Sequence, residues 1–102
     1  MAKTPAPGHL SAESKKFWRQ IVSSYALDSH HLQILQSACE SWDRVLEART
    51  VLEKEGTFYI DRFEQPREHP GAKAERDGRV LHARLLRELG LDLADPDPPK
   101  PL

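Results

Sequence analysis

The chain has 102 residues, 38% of them hydrophobic, and a formal net charge of −1. That suits one small domain with a thin core, for which self-association is the expected support. A balanced charge excludes a uniformly basic nucleic-acid binder, and a single cysteine, Cys39, excludes an intrachain disulfide.

The charge is unevenly distributed. Residues 1–27 carry four basic residues and one acid, residues 28–55 six acids and three basic residues, and residues 70–90 five basic residues and three acids. Basic ends on an acidic middle suit local contact with a polyanion or head-to-tail contact between copies. No apolar run nears the ~20 residues that cross a membrane, and no signal peptide is read, so a cytosolic protein without membrane contact is expected.

Residues 1–10, with Pro5, Pro7 and Gly8, read as a flexible arm ahead of a folded domain over 11–90. Ser11 is a good N-cap and Glu13 complements the helix dipole, so a first helix runs from there to about Tyr25. Phe17, Ile21 and Tyr25 recur every four residues, with Trp18 and Val22 beside them, and form its buried face. Lys15, Lys16 and Arg19 fall outside that face. Trp18 is read as packing rather than stacking on a base.

Asp28 or Ser29 opens a second helix that Gly56 closes, about 27 residues and roughly 40 Å long. Leu32, Leu35, Cys39, Trp42 and Leu46 step as a coiled-coil seam does, and Ile34, Ala38, Val45 and Leu52 widen the stripe. Core packing is the default for such a stripe. Its width also suits a neighbouring copy, and Leu35, Cys39, Trp42, Val45, Leu46 and Leu52 are the residues expected at that contact. Cys39 itself reads as a small buried apolar residue. Glu40 is expected to pair with Arg44 at i, i+4.

Thr57 to Ile60 is the one strand-like run, and Pro66 punctuates the polar stretch that follows. Two readings stay open for 57–68: a short β-hairpin, without the usual Asn-Gly or Asp-Gly turn, or an ordered loop. Pro70 then opens a third helix of about five turns and Gly90 closes it in the left-handed position. Leu81, Leu85 and Leu89 share one face. Lys73, Arg76, Arg84 and Arg87 share another, within an arc of about 80°, and Arg79 lies just outside it. Gly78 weakens the helix by about 1 kcal/mol relative to alanine, which a close helix contact would account for. Residues 91–102 are acidic and proline-rich and read as an extended, mobile tail. The fold class is therefore mostly α, a three-helix protomer with one long central helix.

Little here suggests catalysis. His9, His30, His31, His69 and His82 show no HxxxH or HExxH spacing, and adjacent His30 and His31 should point about 100° apart on a helix. The serines fall in helical or capping contexts, and the five glycines are scattered. No enzyme activity, cofactor or metal is expected. The basic stripes are either a solvated surface or a set of phosphate contacts, which repeated across an oligomer would bind in a salt-dependent, largely sequence-independent way.

Several segments together resemble the small terminase subunits of tailed phages. The opening PGHLSAESKKFWRQIV is similar to that family's Pro-x-x-Leu-Ser start with a basic, Trp-containing helix. Ala38, Cys39, Glu40 and Trp42 match the centre of its long helix. Leu52-Glu53-Lys54-Glu55-Gly56 before a Thr/Tyr-bearing strand matches its end. The nearest likeness is His69-Pro70, Lys73, Arg76-Asp77 and the ending Leu85-Leu86-Arg87-Glu88-Leu89-Gly90-Leu91. The resemblance covers about residues 5 to 93. Gly71, Ala74 and Gly78 stand where the family carries larger or more helix-favouring residues.

The resemblance implies a non-catalytic, ring-forming component of the packaging motor in the cytoplasm of a bacterial host. It would bind double-stranded viral DNA at the packaging start region and recruit or regulate the large ATPase/nuclease subunit. Lys15, Lys16, Arg19, Lys73, Arg76, Arg79, Arg84 and Arg87 are the expected DNA contacts. The alternative is a helical protein–protein adaptor or assembly factor that never touches nucleic acid. A small transcription regulator fits poorly, since the second helix is too long for a recognition unit after a tight turn.

Overall fold

The computed structural model describes residues 4–90. The elements are α1 (Ala12–Ser24), α2 (Ser29–Glu55), β1 (Phe58–Ile60), β2 (Pro66–Glu68) and α3 (Pro70–Leu89). Residues 1–3 and 91–102, including the whole expected tail, lie outside the described residues.

Each helix begins and ends for a local reason. The Ser11 hydroxyl accepts the Ser14 N–H at 3.1 Å and starts α1. Gly56, at φ +85°, ends α2, and Gly90, at φ +72°, ends α3. Pro70 takes the first turn of α3, and His69 acts as its cap, Nδ1 accepting the Gly71 N–H at 2.8 Å.

α2 and α3 form an antiparallel pair. His82 meets Ala38, Gly78 meets Val45, and His69 meets Glu55 at successive levels. α1 lies across the N-terminal half of α2. The core sits at that end: Leu10, Trp18, Ile21, Leu35, Cys39 and Leu89 are buried together, with Phe17, Val22, Tyr25, Leu32 and Leu86 packed around them.

Four expectations change. The N-terminal arm, over residues 4–10, is packed rather than flexible. Leu10 is in the core, Ala6 packs against it, and the Trp18 indole N–H donates to the Thr4 carbonyl at 3.0 Å. The α2 seam is only partly a surface: Leu35 and Val45 are 0% exposed and Cys39 is buried, all within the protomer. Trp42, Leu46 and Leu52 remain half-buried.

The inward face of α3 takes only part of the leucine stripe: Leu89 is buried and Leu85 half-buried. It runs through Ala72, Gly78, His82, Leu86 and Leu89, and leaves Leu81 47% exposed. The helix rotates this way because a side chain at Gly78 would collide with Val45 (2.7 Å), so only glycine lets the helices close together. Finally, Glu40 does not form an ion pair with Arg44. It accepts from Gln36 at 3.0 Å and pairs with His9 at 2.7 Å, while Arg44 pairs with Glu47 at 3.1 Å.

The hairpin is formed, with Phe58 opposite Glu68, Tyr59 opposite Arg67 and Ile60 opposite Pro66. Asp61 replaces the missing turn sequence. Its Oδ1 accepts the Phe63 and Gln65 N–H groups at 2.8 and 3.0 Å, and its Oδ2 accepts from Arg67 at 2.8 Å. The Arg67 guanidinium, with the Gln65 and Phe63 amides, holds the Asp61 carboxyl below its ordinary range. The Asp61 carbonyl accepts the Glu64 N–H at 2.9 Å, and Glu64 takes the left-handed conformation at φ +61°. That is a type I turn closed by a left-handed residue.

Candidate nucleic-acid interface

A phosphate-binding face needs cations not already neutralised by the protein's own acids. The eight expected DNA contacts divide into two groups by this test.

The first group lies on the first half of α3, toward the hairpin. Lys73 pairs with Asp77 at 2.6 Å, Arg76 with Glu68 at 3.1 Å, and Arg79 with Glu75 at 2.9 Å. Glu75 also holds Arg49 at 2.9 Å, and the Arg49 guanidinium sits 5.1 Å from the Trp42 ring centroid. Arg49 and Arg79 outweigh desolvation and keep the Glu75 carboxyl below its ordinary range. Lys73 does the same for Asp77. These pairs are individually weak, but Asp77 and Glu68 each cancel most of one cation's outward field, while Glu75 is divided between Arg79 and Arg49 and cancels only part of each.

The second group comprises Lys15, Lys16 and Arg19 on α1 with Arg84 and Arg87 on α3. None of the five forms an ion pair among the described residues. The fold places both segments at one end of the molecule. Leu86 and Leu89 belong to the same core cluster as Trp18 and Ile21, so the last turns of α3 and α1 both border that core. Lys15 and Arg19 line a groove of about 400 Å³ with Val22 and the Thr4–Ala6 segment.

What holds α1 in place is a feature that sequence reasoning missed. Asp43 is buried on α2 and accepts three hydrogen bonds: from the Ser11 hydroxyl (2.6 Å), the Ser14 hydroxyl (2.6 Å) and the Ser11 backbone N–H (2.9 Å). Burial pushes its carboxyl up, but the bonds from Ser11 and Ser14 outweigh it and leave the group below its ordinary value. The Trp42 indole N–H adds a bond to Glu13 at 2.7 Å, and the His82 ring lies 5.1 Å from the Trp42 ring. The only hint in the sequence is that Ser11, a cap, stands three residues before Ser14.

Burial first, then Asp43 and Glu40, push the Cys39 thiol up to about 12, which makes it a poor nucleophile. His30 and His31 are closer than helical spacing predicts, with ring centroids 4.1 Å apart, because His31 folds back to accept the Asp28 N–H at 3.2 Å. Asp28, His30 and His31 bring possible ligand atoms within 4.8 Å of one another. Asp28 and His30 are exposed, one nitrogen of the half-buried His31 is already engaged, and the positive end of α2 opposes a cation there. Among the described residues no helix is long and apolar enough to cross a membrane. No protein-family model, curated protein or solved structure matches this chain.

Proposed function

We propose that this chain is a small terminase subunit. In this reading it is a non-catalytic adaptor in the cytoplasm of a bacterial host that assembles into a ring, binds double-stranded viral DNA at the packaging start region, and presents it to the large ATPase/nuclease subunit. The family half of the reading rests on the order and spacing of the motifs from Pro7-Gly8-His9-Leu10-Ser11 to Leu89-Gly90-Leu91. The observation that carries DNA binding is the group of five cations on α1 and the end of α3, without acid partners among the described residues and set at one end of the fold. Five cations per protomer, multiplied by self-association, give the multivalent positive surface a duplex requires.

Native mass in solution, measured without and then with duplex DNA at several salt concentrations, tests this reading. A ring-sized oligomer that binds DNA at low salt and releases it steeply with salt is the expected result. A stable monomer indifferent to duplex DNA overturns it.

A second reading is favoured by one observation. Phe58, Ile60 and Phe63 on the hairpin are each about two-thirds exposed, which suits a protein partner better than a phosphate backbone. In that case the chain is a helical protein–protein adaptor or assembly factor. An oligomer without DNA affinity is its signature.

A further inference from the structure

β1 is a strand of three apolar residues, Phe58, Tyr59 and Ile60, and Phe58 and Ile60 are 64% and 66% exposed. Its inner edge is taken by β2. His69 donates to the Thr57 carbonyl at 2.6 Å, Asp61 donates to the Gln65 carbonyl at 3.0 Å, and Tyr59 faces Arg67 midway between them. In an antiparallel ladder, such hydrogen-bonded pairs alternate with pairs whose N–H and C=O groups point away from the partner strand. The N–H and C=O of Phe58 and Ile60 therefore point outward, along an edge that no other strand covers among the described residues. The outer edge of β2 is different. Its outward positions are Pro66, which has no N–H, and Glu68, whose carboxylate holds Arg76. One edge of the hairpin is open and apolar, and the other is blocked.

We propose that β1 pairs edge to edge with β1 of a second copy of this chain, antiparallel and about a two-fold axis at Tyr59. The product is a four-stranded sheet with the two β1 strands at its centre and a β2 strand on each outside. The register follows from which groups are free. Phe58 exchanges both main-chain hydrogen bonds with Ile60 of the second copy, and Ile60 does so with Phe58. All four outward groups of each strand are then satisfied. Phe58 and Ile60 lie on one face of the strand, so four apolar side chains meet, an aromatic opposite a β-branched residue each time. The two Tyr59 residues face each other on the opposite side.

The strand is thus complementary to itself, in hydrogen bonding and in side-chain type. Pro66 on the other edge stops strand addition at two copies, so the contact closes on itself rather than growing into a fibre. Two three-residue strands bury less than a stable interface needs. The pairing is weak between free protomers; being two-fold, it cannot relate neighbours within a cyclic ring, and it strengthens where two assemblies face each other and several such pairs form together. It is independent of DNA binding.

Disulfide trapping in the full chain tests this. Tyr59→Cys puts two thiols across the axis in a non-hydrogen-bonded pair, where Cα atoms lie about 4.5 Å apart, within disulfide reach. Cys39 is buried and does not compete. Under oxidised glutathione, Tyr59→Cys is expected to form a covalent dimer at least ~10-fold faster than Arg62→Cys, which is also exposed but lies in the turn, off the axis. Adding Ile60→Lys, an exposed position whose variant is checked for helix content, is expected to slow the Tyr59→Cys reaction about tenfold. Equal rates at positions 59 and 62, or no effect of Ile60→Lys, overturn the proposal.

Discussion

Gly78 and Val45 meet without room for a side chain between them. A Cβ on Gly78 would lie 2.7 Å from Val45 Cγ2, and Val45 is fully buried and β-branched, so it cannot swing aside. Alanine normally favours a helix over glycine by about 1 kcal/mol. Here overpacking, about 1–3 kcal/mol, opposes that gain. Gly78→Ala should therefore lower the thermal midpoint, and it should do so less in a Val45→Ala background. A double-mutant cycle by thermal or urea unfolding measures this coupling, and a Gly78→Ala protein more stable than the parent would contradict it.

Asp43 ties the start of α1 to the middle of α2 through Ser11 and Ser14. Replacing it with alanine leaves two hydroxyls and an amide without their acceptor and should cost roughly 3 kcal/mol. Asparagine should cost less, because one oxygen remains. The carboxyl is held below its ordinary value in the fold, so its contribution is complete above the unfolded pKa of about 4 and is lost as pH falls through the folded value. The stability gap between the parent and Asp43→Asn should shrink as pH falls below about 4. Urea midpoints across that range would show it, and a gap that widens on acidification would contradict the assignment.

The helix boundaries are legible in the sequence because their signals are local: Ser11, Gly56, Pro70 and Gly90 act on the backbone next to them. The inward face of α3 is not. It is set by Gly78, which hydropathy ignores, and by His82, whose ring hydrogen-bonds the Ala38 carbonyl at 2.8 Å across the helix pair. Counting leucines therefore points to the side of Leu81. The packed arm is hidden for a similar reason, since Pro5, Pro7 and Gly8 describe a chain without helix, not one without contacts. Helical spacing does place the basic residues of α3 on one stripe. Its partial neutralisation depends on Glu68, which the hairpin brings to Arg76, and on Glu75, which α2 shares through Arg49.

Glu64 occupies a left-handed position at φ +61° that glycine or asparagine fills more cheaply. Glu64→Gly should relieve about 1 kcal/mol of backbone strain, of which glycine's greater unfolded freedom offsets about half. The hairpin should become more persistent. Amide exchange at Asp61 and His69, which donate across the hairpin, should slow about twofold. Faster exchange in the variant would mean that the Glu64 side chain stabilises the turn.

The two cation groups make opposite predictions for DNA. Lys15 and Arg19 have no acid partner among the described residues, whereas Lys73 and Arg76 have Asp77 and Glu68. A phosphate reaching Lys73 or Arg76 must displace a carboxylate and then sits beside it, so much of the attraction is cancelled. A phosphate reaching Lys15 or Arg19 meets an uncompensated charge. Lys15→Glu/Arg19→Glu should therefore weaken duplex binding at low salt by at least ~10-fold and flatten the log–log salt dependence by about one unit for each phosphate no longer neutralised. Lys73→Gln/Asp77→Asn, which removes an ion pair and no net charge, should change affinity by less than about threefold. Titration of fluorescent duplex DNA with each double variant, at matched helix content and oligomer mass, separates the two. A larger loss of affinity from the Lys73/Asp77 variant would move the interface to the first half of α3, with its ion pairs opening to admit the backbone.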